Sequence, residues 1–357
     1  MNIPSGNHFC CLALHGPRLR VKQEHIVLPG LIVSHEQKAF ELEPHWVEWL
    51  GTIQANSFRE STLFITAIVD PLIVDTRTVP VPQSLDNRVR LFHHVLVMLG
   101  CGYNDAMLMM GGEKYHSGGI NIGPVRPGLT PCFRPYYRQS RKIELEDLER
   151  AAKILENLEL IYRHVPGRLY RRLRKGFNVW VRGAQEGEEL IERLHSFVRA
   201  TEAILKPTIA RKRGVRARKR SKKAREPWRN VTPTFINRGQ TITGASQKNA
   251  KLLRQLYDIR SSVEHVKDVM PSVKRVRGVD AEEGFSFRAL QAEILASTAY
   301  SRILSSDTLL NAFSTELKVE GFWSRRADQR QPSWGGPIDL DAEARRWFFS
   351  QIVPDFY

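Results

Sequence analysis

Arg260 and His265 stand in the segment Tyr257-Asp258-Ile259-Arg260-Ser261-Ser262-Val263-Glu264-His265. The two residue types suit one kind of chemistry. Histidine gains and loses a proton near neutral pH, so it can act as general acid and base. Arginine keeps its charge and presents a planar fork to phosphoryl oxygens. A proton-moving group beside a fixed cation is suited to acid–base catalysis or to binding an anion. Spacing alone decides little, because Arg-x4-His also occurs at Arg20/His25 and Arg88/His93. The first runs into a probable strand, which holds the two side chains too far apart. The second lies on a helix apolar on most sides, where His93 and His94 read as packed histidines.

The helix that must position Arg260 and His265 has a clear apolar side. At about 100° per residue, Leu252, Leu256, Ile259, Val263, Val266 and Met270 form one stripe. The opposite face carries Tyr257, Ser261, Glu264 and Asp268, with Arg260 and His265 at its borders, about 140° apart. Such a strip suits a cleft shared with a second copy of the helix. A plainer alternative stays open. Arg260 and Glu264 can brace the helix as an i, i+4 pair, and Ser261 and His265 can hydrogen-bond locally.

Around this helix the chain divides by texture. Residues 1 to 140 alternate short apolar runs with Pro/Gly punctuation. Ile26–Val33 and Leu63–Val69 are expected as strands and Leu85–Leu99 as a helix. Gly100–Pro131 is expected to be loop-rich, and the glycines between 111 and 119 read as a flexible loop. From Lys142 helical periodicity takes over, at 143–164, 167–181, 186–205, 246–270 and 285–313. The expected class is α+β: a mixed α/β domain over 1–140, then an all-α bundle over 141–313. The bundle is interrupted by a basic insertion at 207–245, and an aromatic-rich extension follows over 314–357. Phe322-Trp323 and Trp347-Phe348-Phe349 in that extension read as cover for a core edge.

Net charge is +16 over 357 residues, which favours a polyanionic partner. Ten of the excess cations lie between 211 and 225: Arg211, Lys212, Arg213, Arg216, Arg218, Lys219, Arg220, Lys222, Lys223 and Arg225. They are read as a phosphate-gripping loop, with a solvated linker as the alternative. Cys10, Cys11, Cys101 and Cys132 show no zinc spacing and read as reduced thiols. There is no Walker pattern, nucleophile elbow or dinucleotide fingerprint. No cofactor or metal is expected, and no membrane span. A cytoplasmic protein is the expectation.

The segment Tyr257–His265, late in a basic helical bundle, resembles the HEPN superfamily and within it the Apea-like group. Leu145-Glu146-Asp147-Leu148-Glu149-Arg150-Ala151 and Phe197–Leu205 are similar to earlier helices of that group. The resemblance covers residues 142 to 312. It implies a HEPN-like bundle that dimerises, and a metal-independent endoribonuclease acting by 2′-OH transesterification. By position it places Arg260 and His265 as the catalytic pair and Ser261 as the polar residue beside the Arg, with Tyr257, Glu264 and Asp268 as a supporting face. It also implies a toxin or defence role. RNA is then the expected partner, with DNA possible, and a homodimer is the expected assembly. The competing class is a non-catalytic RNA- or DNA-binding module that uses residues 211–225 and the arginine-rich helices around Arg168 to Lys175.

Overall fold

A computed structural model describes residues 3–20, 24–35, 42–69, 81–103, 106–127 except 116 and 118, 142–164, 169–185, 189–207, 231–265 and 281–349. The chain forms two compact units. One holds Met1–Glu156 with Ala184–Gly187, the other Asn157–Gly183 with Glu188–Tyr357. The class is α+β: an antiparallel six-stranded sheet, then a helical region.

The sheet runs β2-β3-β4-β1-β5-β6. Its centre is β1 (His8–His15), whose inner six residues are all buried. β1 is paired on both edges, to β4 (Leu63–Val69) and to β5 (Ala106–Lys114). An unbroken apolar run is what a strand needs when both of its faces are covered. Phe9, Cys11 and Ala13 join a core with Leu50 and Phe58 from α1 (Pro44–Leu50) and α2 (Thr52–Arg59). By strand alternation Cys10, Leu12 and Leu14 line the other face, where α3 (Val81–Met98) packs on β1 and β4. Val89, Phe92 and Leu96 of α3 are fully buried.

The strand at Leu63–Val69 stands where the sequence places it. Ile26–Val33 does not form one strand. It folds into the hairpin β2 (His25–Leu28) and β3 (Leu31–Ser34) about Pro29-Gly30. Gly30 takes φ +69, and a Cβ there would lie 2.4 Å from the Ile68 carbonyl oxygen. The expected loop at Gly100–Pro131 is instead built around a second hairpin, β5 with β6 (Ile120–Pro127). Gly111 and Gly112 are strand residues. A Cβ on Gly112 would meet the Asn121 carbonyl oxygen at 2.1 Å and the Phe9 ring at 3.0 Å. These glycines mark close approach of neighbouring strands, not a break in structure.

The helical unit takes in the end of α4 (Leu145–Arg163), most of α5 (Arg171–Ala184), then α6 (Leu190–Leu205), α7 (Val231–Thr243), α8 (Gln247–Glu264) and α9 (Ala281–Ser305). Helix α9 is buried along almost its whole length and packs on α6, α7 and α13 (Leu340–Phe349). The Trp180 indole N–H donates to Ser297 Oγ at 3.1 Å, and the Tyr300 hydroxyl donates to the Ala200 carbonyl at 2.9 Å. The expected helix 285–313 breaks at Ser306, whose hydroxyl caps α10 (Asp307–Ala312) by accepting from Leu309 N–H. Helices α11 (Glu316–Ser324) and α12 (Ala327–Trp334) bring Phe322, Trp323 and Trp334 around Phe313. Residues 231–243, assigned from sequence to the basic insertion, form α7 and are part of the packed bundle. Phe235 and Ile242 of α7 are fully buried. Arg211–Arg225, Cys132, Asp268, Val266 and Met270 lie outside the described residues.

Candidate active site

Ser246 opens α8 as its N-cap, its hydroxyl accepting from Asn249 N–H at 3.0 Å. The helix has two buried stripes where one was expected. Leu252, Leu256 and Ile259 are buried as foreseen. Leu253 and Tyr257, about two turns and one turn before Arg260, are buried as well. They face α7, where Gly239 would bring a Cβ within 3.0 Å of Leu253. The Tyr257 ring lies 5.1 Å from that of Phe235. Tyr257 is therefore not part of an open polar strip, because α7 covers that side of the helix.

Arg260 is also turned inward. Its Nη2 lies 2.7 Å from Glu202 Oε2 on α6, and its Nη1 lies 2.5 Å from Glu264 Oε2. The guanidinium carbon sits 5.4 Å from the centre of the Tyr257 ring. The side chains of Arg260 and Glu202 are only 12% and 8% exposed. Glu202 is a lone acid within the apolar run Phe197–Leu205, and burial of its carboxylate demands a cation. Arg260 supplies it, together with Lys206, whose Nζ is 3.7 Å from Glu202 Oε1.

Glu264 is shared. Its Oε1 lies 3.8 Å from His195 Nε2 and 3.9 Å from Arg199 Nε, both on α6. His195 Nε2 and Arg260 Nε are buried without a hydrogen-bond partner among the described residues. Burial lowers the His195 pKa, Arg199 lowers it further, and Glu192 and Glu264 pull the other way. Burial raises the Tyr257 pKa, and Glu202 adds to that rise.

His265 sits elsewhere. It is the C-cap of α8, with φ −99 and ψ 13, and its backbone N–H donates to the Ser261 carbonyl at 3.2 Å. His265 is exposed, Ser261 half-buried. At about 100° per residue both lie on the stripe of the exposed residues Lys251, Arg254 and Asp258. So Arg260 and His265 end one helix but point to different surroundings, an ion-pair cage and open solvent. The plainer alternative, an Arg260–Glu264 brace, is present, with Glu202 as an added member.

Sequence reasoning missed Glu202, His195 and Arg199 as members of this cluster. The isolated acid at 202 was the available signal. Of the other Arg-x4-His matches, Arg20 is exposed and pairs with Glu144 at 2.8 Å, and the Arg88/His93 residues serve packing. His93 is buried with its Nε2 2.9 Å from the Gly102 carbonyl oxygen, and Arg88 donates to the Pro29 carbonyl at 2.9 Å. Among the described residues no group of three or more His, Cys, Asp and Glu is placed to hold a metal ion, and no helix is long and apolar enough to cross a membrane. Comparison with protein-family models, curated proteins and solved structures returns no match.

Proposed function

We propose that the helical unit is a metal-independent endoribonuclease of HEPN type, working as a homodimer in a toxin or defence role. The 2′-OH of RNA attacks the adjacent phosphorus while a base takes its proton. The 5′-oxygen leaves and receives a proton, giving a 2′,3′-cyclic phosphate and a 5′-hydroxyl. His265 is the group assigned to proton transfer, which is typically worth about 10²–10⁴-fold. Arg260 is the fixed cation, Ser261 its polar neighbour, and Glu202 holds the guanidinium in place. The observation that carries the assignment is the last turn of α8. An accessible imidazole caps it, and a guanidinium immobilised by Glu202 and Glu264 lies five residues earlier. Residues 211–225 supply phosphate contacts in this scheme.

One observation favours the non-catalytic binding module instead. Two carboxylates already neutralise Arg260, as they would in a brace between α6 and α8. His265→Ala separates the two. His265 is exposed, so the substitution leaves the fold intact. With EDTA present, wild type should cut mixed RNA and the variant should not, while both bind it. Equal cleavage by the variant, or none by wild type, rejects the ribonuclease assignment.

A further inference from the structure

Helix α5 carries five cations and no acid: Arg171, Arg172, Arg174, Lys175 and Arg182. Two of them are used inside the helical unit. Arg172 pairs with Glu316 at 2.7 Å and donates to the Lys206 carbonyl. Arg174 lies over the Tyr162 ring at 5.4 Å. The other three behave differently. Arg171, Lys175 and Arg182 are exposed, and none forms an ion pair among the described residues. At about 100° per residue they fall within about 40° of each other, with the exposed Asn178 in the same stripe. The stripe is about 16 Å long at about 1.5 Å per residue.

Arg182, in the last turn of α5, complements the helix dipole, but the other two cations are placed against the interest of the fold. Arg171 and Lys175 are like charges at i, i+4, which destabilise a helix by about 0.2–0.5 kcal/mol. Arg171 stands in the first turn, where the helix dipole disfavours a cation. Neighbouring turns offer no acid to offset these charges; Glu186, four residues past Arg182, lies outside the described residues. The apolar face of α5 is not available to a lipid surface either, because Leu173, Phe177 and Trp180 are buried in the core. What remains is a straight row of cations, unpaired among the described residues, that a regularly spaced polyanion would complement.

We infer that the Arg171–Lys175–Arg182 stripe of α5 is a sequence-indifferent rail for the phosphate backbone of RNA. It shares with the proposed function the choice of RNA, and it needs no catalytic step. Contacts to phosphates position a strand without reading its bases. Each phosphate neutralised on a single strand steepens the salt dependence of log K by about 0.7. Three contacts therefore contribute about 2 to the slope.

The test uses the full chain and a 2′-O-methyl oligouridine, which cannot undergo 2′-OH attack. Fluorescence anisotropy gives affinity against salt between about 50 and 200 mM. The variant Arg171→Gln/Lys175→Gln/Arg182→Gln should show a slope shallower by about 2 and a helix melt no lower than wild type. The charge-keeping variant Arg171→Lys/Arg182→Lys should hold the wild-type slope. If the triple variant fails to fold, Arg182→Gln alone should reduce the slope by about 0.7. An unchanged slope in the neutralised variant overturns the inference, as does wild-type binding to phosphatidylserine vesicles but not to the RNA. Wild type that binds this RNA with the rail's slope yet never cuts natural RNA leaves the rail standing and removes the ribonuclease assignment.

Discussion

Neutralising Glu202 tests whether the α6–α8 ion-pair cluster is held together by charge. Glu202→Gln keeps the shape of the side chain and removes one of the two carboxylates on Arg260. Breaking a buried pair by removing one partner typically costs about 3–5 kcal/mol. Here the guanidinium keeps Glu264 at 2.5 Å, so the upper end is out of reach. The loss expected is that of a buried hydrogen bond to a charged group, about 1.5–3 kcal/mol. For a domain of this size each kcal/mol moves the melting temperature by about 2–4 °C, so the helical unit should melt about 3–12 °C lower. Arg260→Gln should cost at least as much, because it leaves the buried Glu202 carboxylate with Lys206 alone, at 3.7 Å. The double variant Glu202→Gln/Arg260→Gln should lose less than the sum, since two amides can pair with each other. A coupling of about 1–3 kcal/mol from thermal and urea denaturation of all four proteins is the expected result. Additivity within about 0.5 kcal/mol would refute the reasoning, because it would mean that the 2.7 Å contact contributes nothing of its own.

Acid should weaken the sheet unit through His94. Burial, then His93 and Arg90, push its pKa from 6.5 down to about 3. A depressed folded pKa gives stability that is complete above about 6.5 and lost as pH falls toward 3, where the unfolded chain takes up the proton first. His94→Gln should flatten the fall in melting temperature across that window; a wild-type slope in the variant removes His94 as its source. Gly112→Ala should prevent pairing of β5 with β6 or shift the register, seen as lost amide protection in β6, because the new Cβ would lie 2.1 Å from the Asn121 carbonyl oxygen. Gly321→Ala should instead stabilise by about 0.5–1 kcal/mol, since Gly321 is a helical glycine with nothing within 4 Å of its would-be Cβ. A lower melting temperature for Gly321→Ala would show a neighbour that the geometry does not.

Local signals carried a good part of the fold. The strand at Leu63–Val69 and the helices at Leu145–Arg163 and Leu190–Leu205 follow from β-branched content and 3.6-residue periodicity. Long-range effects stayed hidden. Gly111 and Gly112 look like chain breakers until Phe9 and Asn121, far off in sequence, are seen pressing on that backbone. Helix α7 was masked by the charge run before it, and with α7 missing, Tyr257 and Arg260 seemed to face open space. The partner that turns Arg260 inward comes from Glu202, 58 residues earlier, which no spacing rule on α8 can reveal. The exposure of His265 is by contrast a local matter, set by its place at the helix end.

The central place of β1 also sets an order of events during synthesis. β1 leaves the ribosome about 90 residues before β5, a delay of about 5–20 s at ordinary elongation rates. For that interval six consecutive apolar residues have no second edge to pair with, and β4 itself arrives only midway. Until β5 emerges, the nascent chain carries an apolar, strand-forming segment with an unpaired edge. The same geometry makes the first fifteen residues a keystone: without them the sheet falls into two pieces, β2-β3-β4 and β5-β6, that share no hydrogen bond.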